Sequence, residues 1–345
     1  MTIREIAKLA NVSPATVSNV INGKAGKVSK ENVQKILSII EDTNYGKEKK
    51  AGISGNRINT KIIAGVVLNY SKENFLEDPF HSQFFGEVIR VIQEAGYYLM
   101  LLSVEDYDQA IKILKYWQVD GAIIVGAPDS TVHKFNNQIQ IPIVFTDSYS
   151  TSGNINKVGT DDYGGGRLAA RHLLDLGHKN VAVLSYWYSY SKAGAISERI
   201  KGFSEEFEKE NIRLLSKNMF LVADERDSAF RNAAEEMKER LKEISALFCT
   251  SDRLAVHMMN RLLELDIRIP EDISIIGFDD SIICAHSSPG LTTIRQDIPN
   301  KARTSAQLLL SQIGREGVAS ESAMLPVSLV RRETTSESKH KRSLP

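Results

Sequence analysis

Cysteine is scarce in this chain of 345 residues, which contains only Cys249 and Cys284, each in an apolar segment. A disulfide-stabilised fold is therefore excluded, and a reducing cytoplasm is the expected location. Long apolar runs are also missing: the longest, near residues 97–103 and 121–126, fall far short of the roughly 20 residues of a membrane helix, so we expect no membrane partner. The first residues, MTIRE, place charge where a secretory signal needs an apolar run, which predicts a protein that is not exported.

Net charge is absent overall, because 43 basic residues balance 43 acidic ones. The balance hides an asymmetry, since residues 1–60 contain ten Lys or Arg and five Asp or Glu, giving +5 against −5 in the remainder. A basic head on an acidic body favours a polyanionic partner such as nucleic acid. On charge alone, a merely solvated charged face explains the pattern equally well.

Three short helices are predicted in the head, over residues 1–46. Thr2 and Glu5 form a capping box that starts the first helix, and Ser13 followed by Pro14 starts a second. Ser29 is the expected N-cap of a third helix, whose apolar stripe closes the small core. This arrangement is typical of a helix-turn-helix module, although any small three-helix bundle has similar caps.

Small polar side chains are expected on the outer face of the second helix, because Val17 and Val20 occupy the inner face. A helix that enters the major groove needs such a face for close approach to base edges. The residues predicted to contact DNA in the head are Ser13, Pro14, Ala15, Thr16, Ser18, Asn19, Asn22 and Ser29.

Beyond residue 60, apolar strand-like runs alternate with helical patterns. Runs at 62–68, 97–102, 122–125 and 143–145 are followed by a second series at 181–184, 219–222, 246–249 and 273–277. This alternation predicts an α/β body of two doubly wound parallel-sheet subdomains, with ligands at the carboxyl ends of the strands.

Several segments, in the same order along the chain, resemble those of the LacI/GalR family of bacterial transcription regulators. They are TIREIAKLANVSPATVSNVING at residues 2–23, GTDDYGGGRLAARHLLDLGH at 159–178 and RIPEDISIIGFDD at 268–280. The resemblance extends over about 330 residues. It implies a cytoplasmic, homodimeric repressor with a body like type I periplasmic binding proteins, which binds operator DNA under the control of a small effector, with a sugar or glycoside favoured.

The resemblance also implies that the chain crosses between two subdomains. The expected divisions are a hinge at 47–60, a first subdomain at 61–160 plus 294–323, a second at 161–293 plus 324–335, and a tail at 336–345. In the hinge the family usually has a Pro-Asn pair and a Leu that enters the minor groove. This chain has neither in residues 46–56, and Ile53 is the only large apolar residue of that segment, and so its only plausible wedge.

Candidate effector contacts lie just past strand ends, where carboxylates and a guanidinium can bind vicinal hydroxyls. For a single Asp, a capping or ion-pair role is equally expected, and either Asp161 or Asp162 is expected to cap the following helix. The resemblance favours effector contact for Asp147, Arg199 and Asp279, with Phe80 as a stacking wall. The full set of effector candidates is Phe80, Asp147, Asp161, Trp187, Arg199, Ser251, Asp252 and Asp279.

Other functions are weakly indicated. The glycines at 159–166 lack the Lys-Ser/Thr of a phosphate loop, no catalytic motif occurs, and the histidines lack metal-ligand spacing, so we expect a non-enzymatic protein without cofactor or metal. A solute-binding receptor with the same body remains an alternative. Within the regulators, so does an effector that is a nucleobase or a partner protein.

Overall fold

Two separate units, Met1–Asn59 and Thr60–Pro345, make up the computed structural model of this chain. It describes residues 3–21, 28–42, 60–68, 75–150, 154–187, 194–223, 227–315 and 319–339. The predictions for Asn22, for Ile53 and nearly all of the hinge, and for residues 340–345 of the tail concern residues outside these ranges. No helix in the described ranges is long and apolar enough to cross a bilayer.

The first unit contains three helices, α1 (Ile3–Ala10), α2 (Pro14–Ile21) and α3 (Lys30–Asp42). Ser13 Oγ accepts a hydrogen bond from the Thr16 amide at 3.1 Å, and Ser29 Oγ accepts one from the Asn32 amide at 3.3 Å, which confirms both predicted caps. The core between the helices contains Ile6, Val17 and Ile36, each with 0% exposure. The three helices therefore bury the apolar faces that the spacing of their apolar residues predicts.

The second unit consists of two lobes, each built on one six-stranded sheet. The first lobe has the strand order β11-β5-β4-β3-β1-β2, and all of its pairs are parallel. Its strands are β1 (Ile62–Leu68), β2 (Tyr98–Val104), β3 (Gly121–Val125), β4 (Ile143–Thr146), β5 (Asn156–Thr160) and β11 (Ser322–Leu325). Its helices are α4 (Pro79–Glu94), α5 (Tyr107–Trp117), α6 (Asp129–Gln138) and α12 (Ile298–Gln312).

The second lobe repeats this plan with the strand order β12-β10-β9-β8-β6-β7, in which only the pair of β10 with β12 is antiparallel. Its strands are β6 (Val181–Tyr186), β7 (Met219–Val222), β8 (Ala246–Cys249), β9 (Ser274–Asp279), β10 (Thr292–Gln296) and β12 (Val327–Val330). Its helices are α7 (Asp162–Asp175), α8 (Ala195–Glu208), α9 (Asp227–Glu239), α10 (Asp252–Glu264) and α11 (Ile283–His286).

Each sheet is covered on both faces, which explains the continuous apolar runs in its central strands. In the first lobe, α4 and α12 pack on one face and α5 and α6 on the other. The second lobe places α7 and α8 on one face of its sheet and α9 and α10 on the other. The predicted doubly wound architecture is confirmed.

The chain crosses between the lobes three times, at Asp161, Asp297 and Pro326. The predicted subdomain boundaries at residues 294 and 324 need correction, because β10 belongs wholly to the second sheet and β11 wholly to the first. The strand pairing decides this, since Ile294 pairs with Phe278 and Leu325 pairs with Thr160. The crossings also contact one another, because the Asp161 amide donates to the Leu325 carbonyl at 3.0 Å.

Helices α7 and α8 approach closely at two glycines, Gly166 and Gly202. A Cβ at Gly166 would lie 2.0 Å from the Arg199 carbonyl oxygen, and one at Gly202 would lie 2.0 Å from the Tyr163 carbonyl oxygen. Backbone atoms cannot yield as a flexible side chain can. These two glycines therefore fix the position of the segment of α8 that carries Arg199.

We expect Gly202→Ala to lower the free energy of unfolding by about 1–3 kcal/mol or more, because the added methyl group forces the two helices apart. Gly86→Ala is the matched control, since a Cβ at this exposed position in α4 meets nothing within 4 Å. It should stabilise the protein by up to about 1 kcal/mol through helix propensity. Denaturant unfolding of the two variants tests the close approach, which is contradicted if they are equally stable.

Candidate functional site

In the head, the outer face of α2 presents small polar groups. Ser13, Pro14, Ala15 and Asn19 are exposed, while Val17 and Val20 point into the core. Thr16 and Ser18 are half-buried, and Ser29 is exposed at the start of α3. The structure thus gives the described members of the predicted DNA-binding set the exposure that a groove-facing helix requires.

In the body, a group of buried charges lies where the two lobes meet. On the first lobe, Asp147 directly follows β4 and has a left-handed backbone with φ of 54°. Its carboxylate accepts a hydrogen bond from Lys301 Nζ at 2.5 Å. Lys301, in the first turns of α12, has only 1% exposure and also donates to Gln296 Oε1 at 2.6 Å.

On the second lobe, Arg199 of α8 is the central cation, with 4% exposure. Its Nε donates to Asp162 Oδ1 at 2.7 Å, and one terminal nitrogen donates to the Thr250 carbonyl at 2.8 Å and to Asp279 Oδ1 at 3.2 Å. The guanidinium also stacks over the Phe278 ring at 3.7 Å from its centroid. These contacts together fix the orientation of the Arg199 guanidinium.

The two groups are joined across the lobes by Gln296, the last residue of β10. Its Nε2 donates to Asp279 Oδ1 at 2.6 Å, and its Oε1 also accepts from Thr160 Oγ1 at 3.0 Å. A second link comes from the Tyr149 hydroxyl of the first lobe, which donates to Asp162. We call this set the interlobe floor: Asp147, Tyr149, Thr160, Asp162, Arg199, Asp279, Gln296 and Lys301.

Burial and charge pairing act in opposite directions on the ionisable groups of the floor. Burial disfavours the charged guanidinium, but the carboxylates of Asp162 and Asp279 raise the pKa of Arg199 above its usual value. Burial raises the pKa of Asp279 to about 8, against the opposing effect of Arg199. Burial also raises the pKa of Tyr149, and the adjacent Asp162 adds to this effect. The floor therefore holds Arg199 as a cation and favours the protonated form of Asp279.

Near the floor, the start of α4 approaches the second lobe. Asp78 caps α4 by accepting from the Phe80 amide at 2.8 Å, and Arg253 of α10 lies 4.0 Å from the Asp78 carboxylate. Phe80 stacks on Phe84 with centroids 6.0 Å apart, and Lys301 Nζ lies 5.4 Å from the centroid of the Phe80 ring. Phe80 is thus placed beside the floor, as expected for a wall.

Three of the buried polar atoms near this region have no hydrogen-bond partner among the described residues. They are His81 Nδ1 and Gln83 Oε1 on α4 and Thr146 Oγ1 at the end of β4. Burial lowers the pKa of His81, although Asp78 and Asp147 oppose this effect, so the ring is neutral at pH 7. Buried polar atoms are nearly always hydrogen-bonded in proteins, so these atoms are suited to a bound molecule.

The structure corrects or weakens four of the predicted effector contacts. Asp252 faces into its own lobe, where its carboxylate accepts from the Ser281 amide at 2.8 Å and from Thr293 Oγ1 at 2.5 Å. Asp252 is therefore a structural residue, because its oxygens are already used. Asp161 is exposed and caps α7 through the Gly164 amide, and Ser251 caps α10 through the Leu254 amide. Trp187, at the end of β6, is 58% exposed and outside the floor's hydrogen bonds.

Two family profiles match the chain: bacterial regulatory proteins of the lacI family at residues 2–47, and a periplasmic binding protein-like domain at residues 170–335. The helix-turn-helix-type transcriptional repressor PurR of Vibrio vulnificus is 32% identical, over 90% of this chain and 92% of that protein. This chain belongs to the lacI family of bacterial regulatory proteins. As a member, it is a transcriptional repressor with an effector-binding body.

Two further relatives of this lacI-family repressor cover its body. The ribose operon repressor of Halalkalibacterium halodurans is 30% identical over 97% of both chains. A crystal structure of a LacI family transcriptional regulator from Enterococcus faecium with bound ribose is 26% identical, with a TM-score of 0.70, and covers 81% of this chain and 100% of that one. The two-lobed architecture of this repressor is therefore that of its family.

Sequence reasoning missed several members of the repressor's floor. The candidate effector contacts did not include Asp162, Gln296 or Lys301. Each of these residues forms at least two of the hydrogen bonds of the floor. A signal for Lys301 was present, because a Lys among the apolar positions of α12 is a residue that needs a partner when buried. Asp162 was missed because the sequence alone does not distinguish it from the neighbouring Asp161.

The raised pKa of Asp279 makes the stability of this repressor depend on pH. Because the folded state keeps the proton up to about pH 8 while an unfolded Asp loses it near pH 4, the contribution of Asp279 is present at low pH and lost as pH rises through about 8. We expect the free energy of unfolding to fall between about pH 4 and 8 and to level off above that, and Asp279→Asn to flatten this decline. Denaturant titrations at each pH measure it, with Asp280→Asn as a control that keeps the decline. Parallel curves for the wild type and Asp279→Asn would contradict the assignment.

Proposed function

We propose that this repressor binds operator DNA as a homodimer and that an uncharged, hydroxyl-rich effector, a sugar, binds at the interlobe floor and shifts the protein between operator-binding and operator-releasing states. The observation that carries the proposal is the charge balance of the floor. The cations Arg199 and Lys301 pair with the carboxylates of Asp162 and Asp147, so these ion pairs leave no net charge, and burial raises the pKa of Asp279, which opposes a further negative charge.

A balanced floor disfavours a charged ligand. A carboxylate or phosphate would have to displace Asp162 from Arg199, which leaves a buried carboxylate without its partner. Hydroxyl groups, in contrast, donate to carboxylates and accept from amides without changing the charge. The partnerless Thr146 Oγ1 and His81 Nδ1 offer further polar contacts, and the Phe80 ring offers an apolar face for a sugar ring.

Backbone geometry supports the same location. Asp147, Asp279 and Asp280 have φ of 54°, 123° and 55°, and all three lie at the carboxyl ends of strands β4 and β9. Positive φ is unfavourable for residues other than glycine, and such residues concentrate at binding sites. The carboxyl ends of parallel strands are also the general place for ligands in doubly wound folds.

A purine nucleobase is the second candidate effector, because the PurR of Vibrio vulnificus is 32% identical to this chain. The ribose operon repressor and the ribose-bound regulator from Enterococcus faecium support the sugar instead. Both effectors are uncharged and both can stack on Phe80. A thermal-shift screen of the full chain against D-ribose, other mono- and oligosaccharides, hypoxanthine and guanine separates them, since a ligand at 100 times its Kd stabilises the protein by about 2.7 kcal/mol.

Phe80→Leu keeps the apolar volume of the wall but removes its aromatic face. We expect it to weaken binding of the effector found in the screen by about 0.5–1.5 kcal/mol, roughly two- to twelvefold in Kd, while the unfolding temperature without effector changes little. Isothermal titration calorimetry measures the change. An unaltered Kd in Phe80→Leu would place the effector away from this wall.

In the head, we propose that Asn19 reads a base edge, because its exposed amide lies on the same face of α2 as Ala15 and can pair with adenine. Asn19→Ala should lower operator affinity by about 1–3 kcal/mol and relax preference at one base pair in each half-site. Gel shifts with operators selected from random DNA test this. Gln34→Ala, an exposed change on α3, is the control with unchanged affinity. A uniform loss across all operator sequences would show that Asn19 contacts only phosphate.

A further inference from the structure

Lys301 is the least expected residue of the floor. It lies in the first turns of α12, a helix whose buried neighbours Ile298, Ala302 and Ala306 pack the first lobe. At 1% exposure, its ammonium has left water almost completely. An amino group is rarely so buried unless it is paired, because its desolvation costs several kcal/mol.

The ammonium contacts three elements in two lobes. It donates to Asp147 after β4 at 2.5 Å and to Gln296 at the end of β10 at 2.6 Å, and it lies 5.4 Å from the centroid of the Phe80 ring on α4. Asp147 and Phe80 belong to the first lobe, whereas Gln296 belongs to the second sheet. One cation therefore orients the floor carboxylate, the wall and the residue that joins the lobes.

Stability alone does not account for this arrangement. Replacing a buried ion pair by apolar residues of similar volume is often neutral or stabilising, so the fold itself has no need of a Lys on this helix face. Removing one partner, by contrast, leaves an uncompensated buried charge. The pair is better explained by what it does to Asp147 and Gln296.

We propose that Lys301 is a positioning residue of the interlobe site: it cancels the charge of Asp147 and ties it to Gln296, so that the floor accepts uncharged effectors in the closed arrangement of the lobes. The inference rests on the floor being the effector site. Lys301 is thereby a specificity determinant on α12, because its ammonium, and not the effector, supplies the positive charge that Asp147 requires.

The test is the pH dependence of stability in the full chain without effector. In Lys301→Met, Asp147 faces His81, Tyr149 and Arg199 but has lost the cation that contacts it. A buried carboxylate without a counter-ion favours its protonated form. We expect the folding equilibrium constant of Lys301→Met to match the wild type near pH 4 and to fall relative to it by up to tenfold per pH unit above that.

Two further variants isolate the cause. Asp147→Asn combined with Lys301→Met removes both charges, so its stability should again run parallel to the wild type across the pH range. Arg303→Met is the matched control on the same helix, since Arg303 donates to Glu87 within the first lobe at 2.9 Å and is largely outside the floor. It should show no added decline towards high pH. The decline due to Asp279 is common to all these proteins.

Two more measurements cover the other parts of the inference. In hydrogen exchange of the ligand-free chain, Lys301→Met should lose protection at the crossings near Thr160 and Gln296 at pH 8, and Arg303→Met should not. With D-ribose as probe, Lys301→Met should bind at least tenfold more weakly than the wild type at pH 8, and the double variant should recover part of that loss.

The outcomes separate the two proposals. If Lys301→Met follows the wild type at every pH and keeps its protection, Lys301 does not set the charge or the position of Asp147, and the inference is wrong. If the wild type binds none of the sugars or purines, the proposed effector class fails, while the pH curves and exchange rates still decide the role of Lys301.

Discussion

The burial of one guanidinium between two lobes is the constraint on which the body depends. Arg199 cannot leave water without partners, and its partners come from α7, β9 and the end of β8. Those groups are buried in turn, and the nearest remaining donors, Gln296 and Tyr149, belong to the crossing strand and to the opposite lobe. Satisfying one charge thus recruits residues from both sheets. The result is a site that is already organised, since each group is held by its neighbours before any effector arrives.

The position of this site relative to the crossings has consequences for allostery. Thr160, Asp162 and Gln296 all lie within one residue of a crossing, and the crossing at Asp161 is bonded to the one that follows Leu325. At the proposed effector site, a ligand that changes the hydrogen bonds of Gln296 would act directly on the crossings between the lobes. Such coupling needs no long chain of contacts through the core, because the proposed binding groups are also the residues of the crossings.

The sequence predicts the elements well because they depend on local patterns. The caps at Ser13 and Ser29 and the doubly wound alternation need only residues a few positions apart. The floor depends on pairs such as Asp147 with Lys301, which are 154 positions apart, and no local spacing signals them. The same limit explains the errors: position after a strand does not tell whether a carboxylate turns outward, as Asp161 does, or into its own lobe, as Asp252 does.

This chain is similar both to a repressor named PurR and to a ribose operon repressor, and the proposed effector site offers a physical reason why one scaffold can serve different ligands. The ion pairs of the floor are internal, so on this proposal they require only that the effector be uncharged and able to exchange hydrogen bonds with carboxylates and an amide. On this proposal, discrimination between ring types comes from groups beside the floor, such as Phe80. A substitution on the floor would alter the charge that the site accepts, whereas a substitution on the wall would alter the shape. Effector choice can therefore change through the wall while the hydrogen bonds that join the lobes, and with them the response to binding, stay intact.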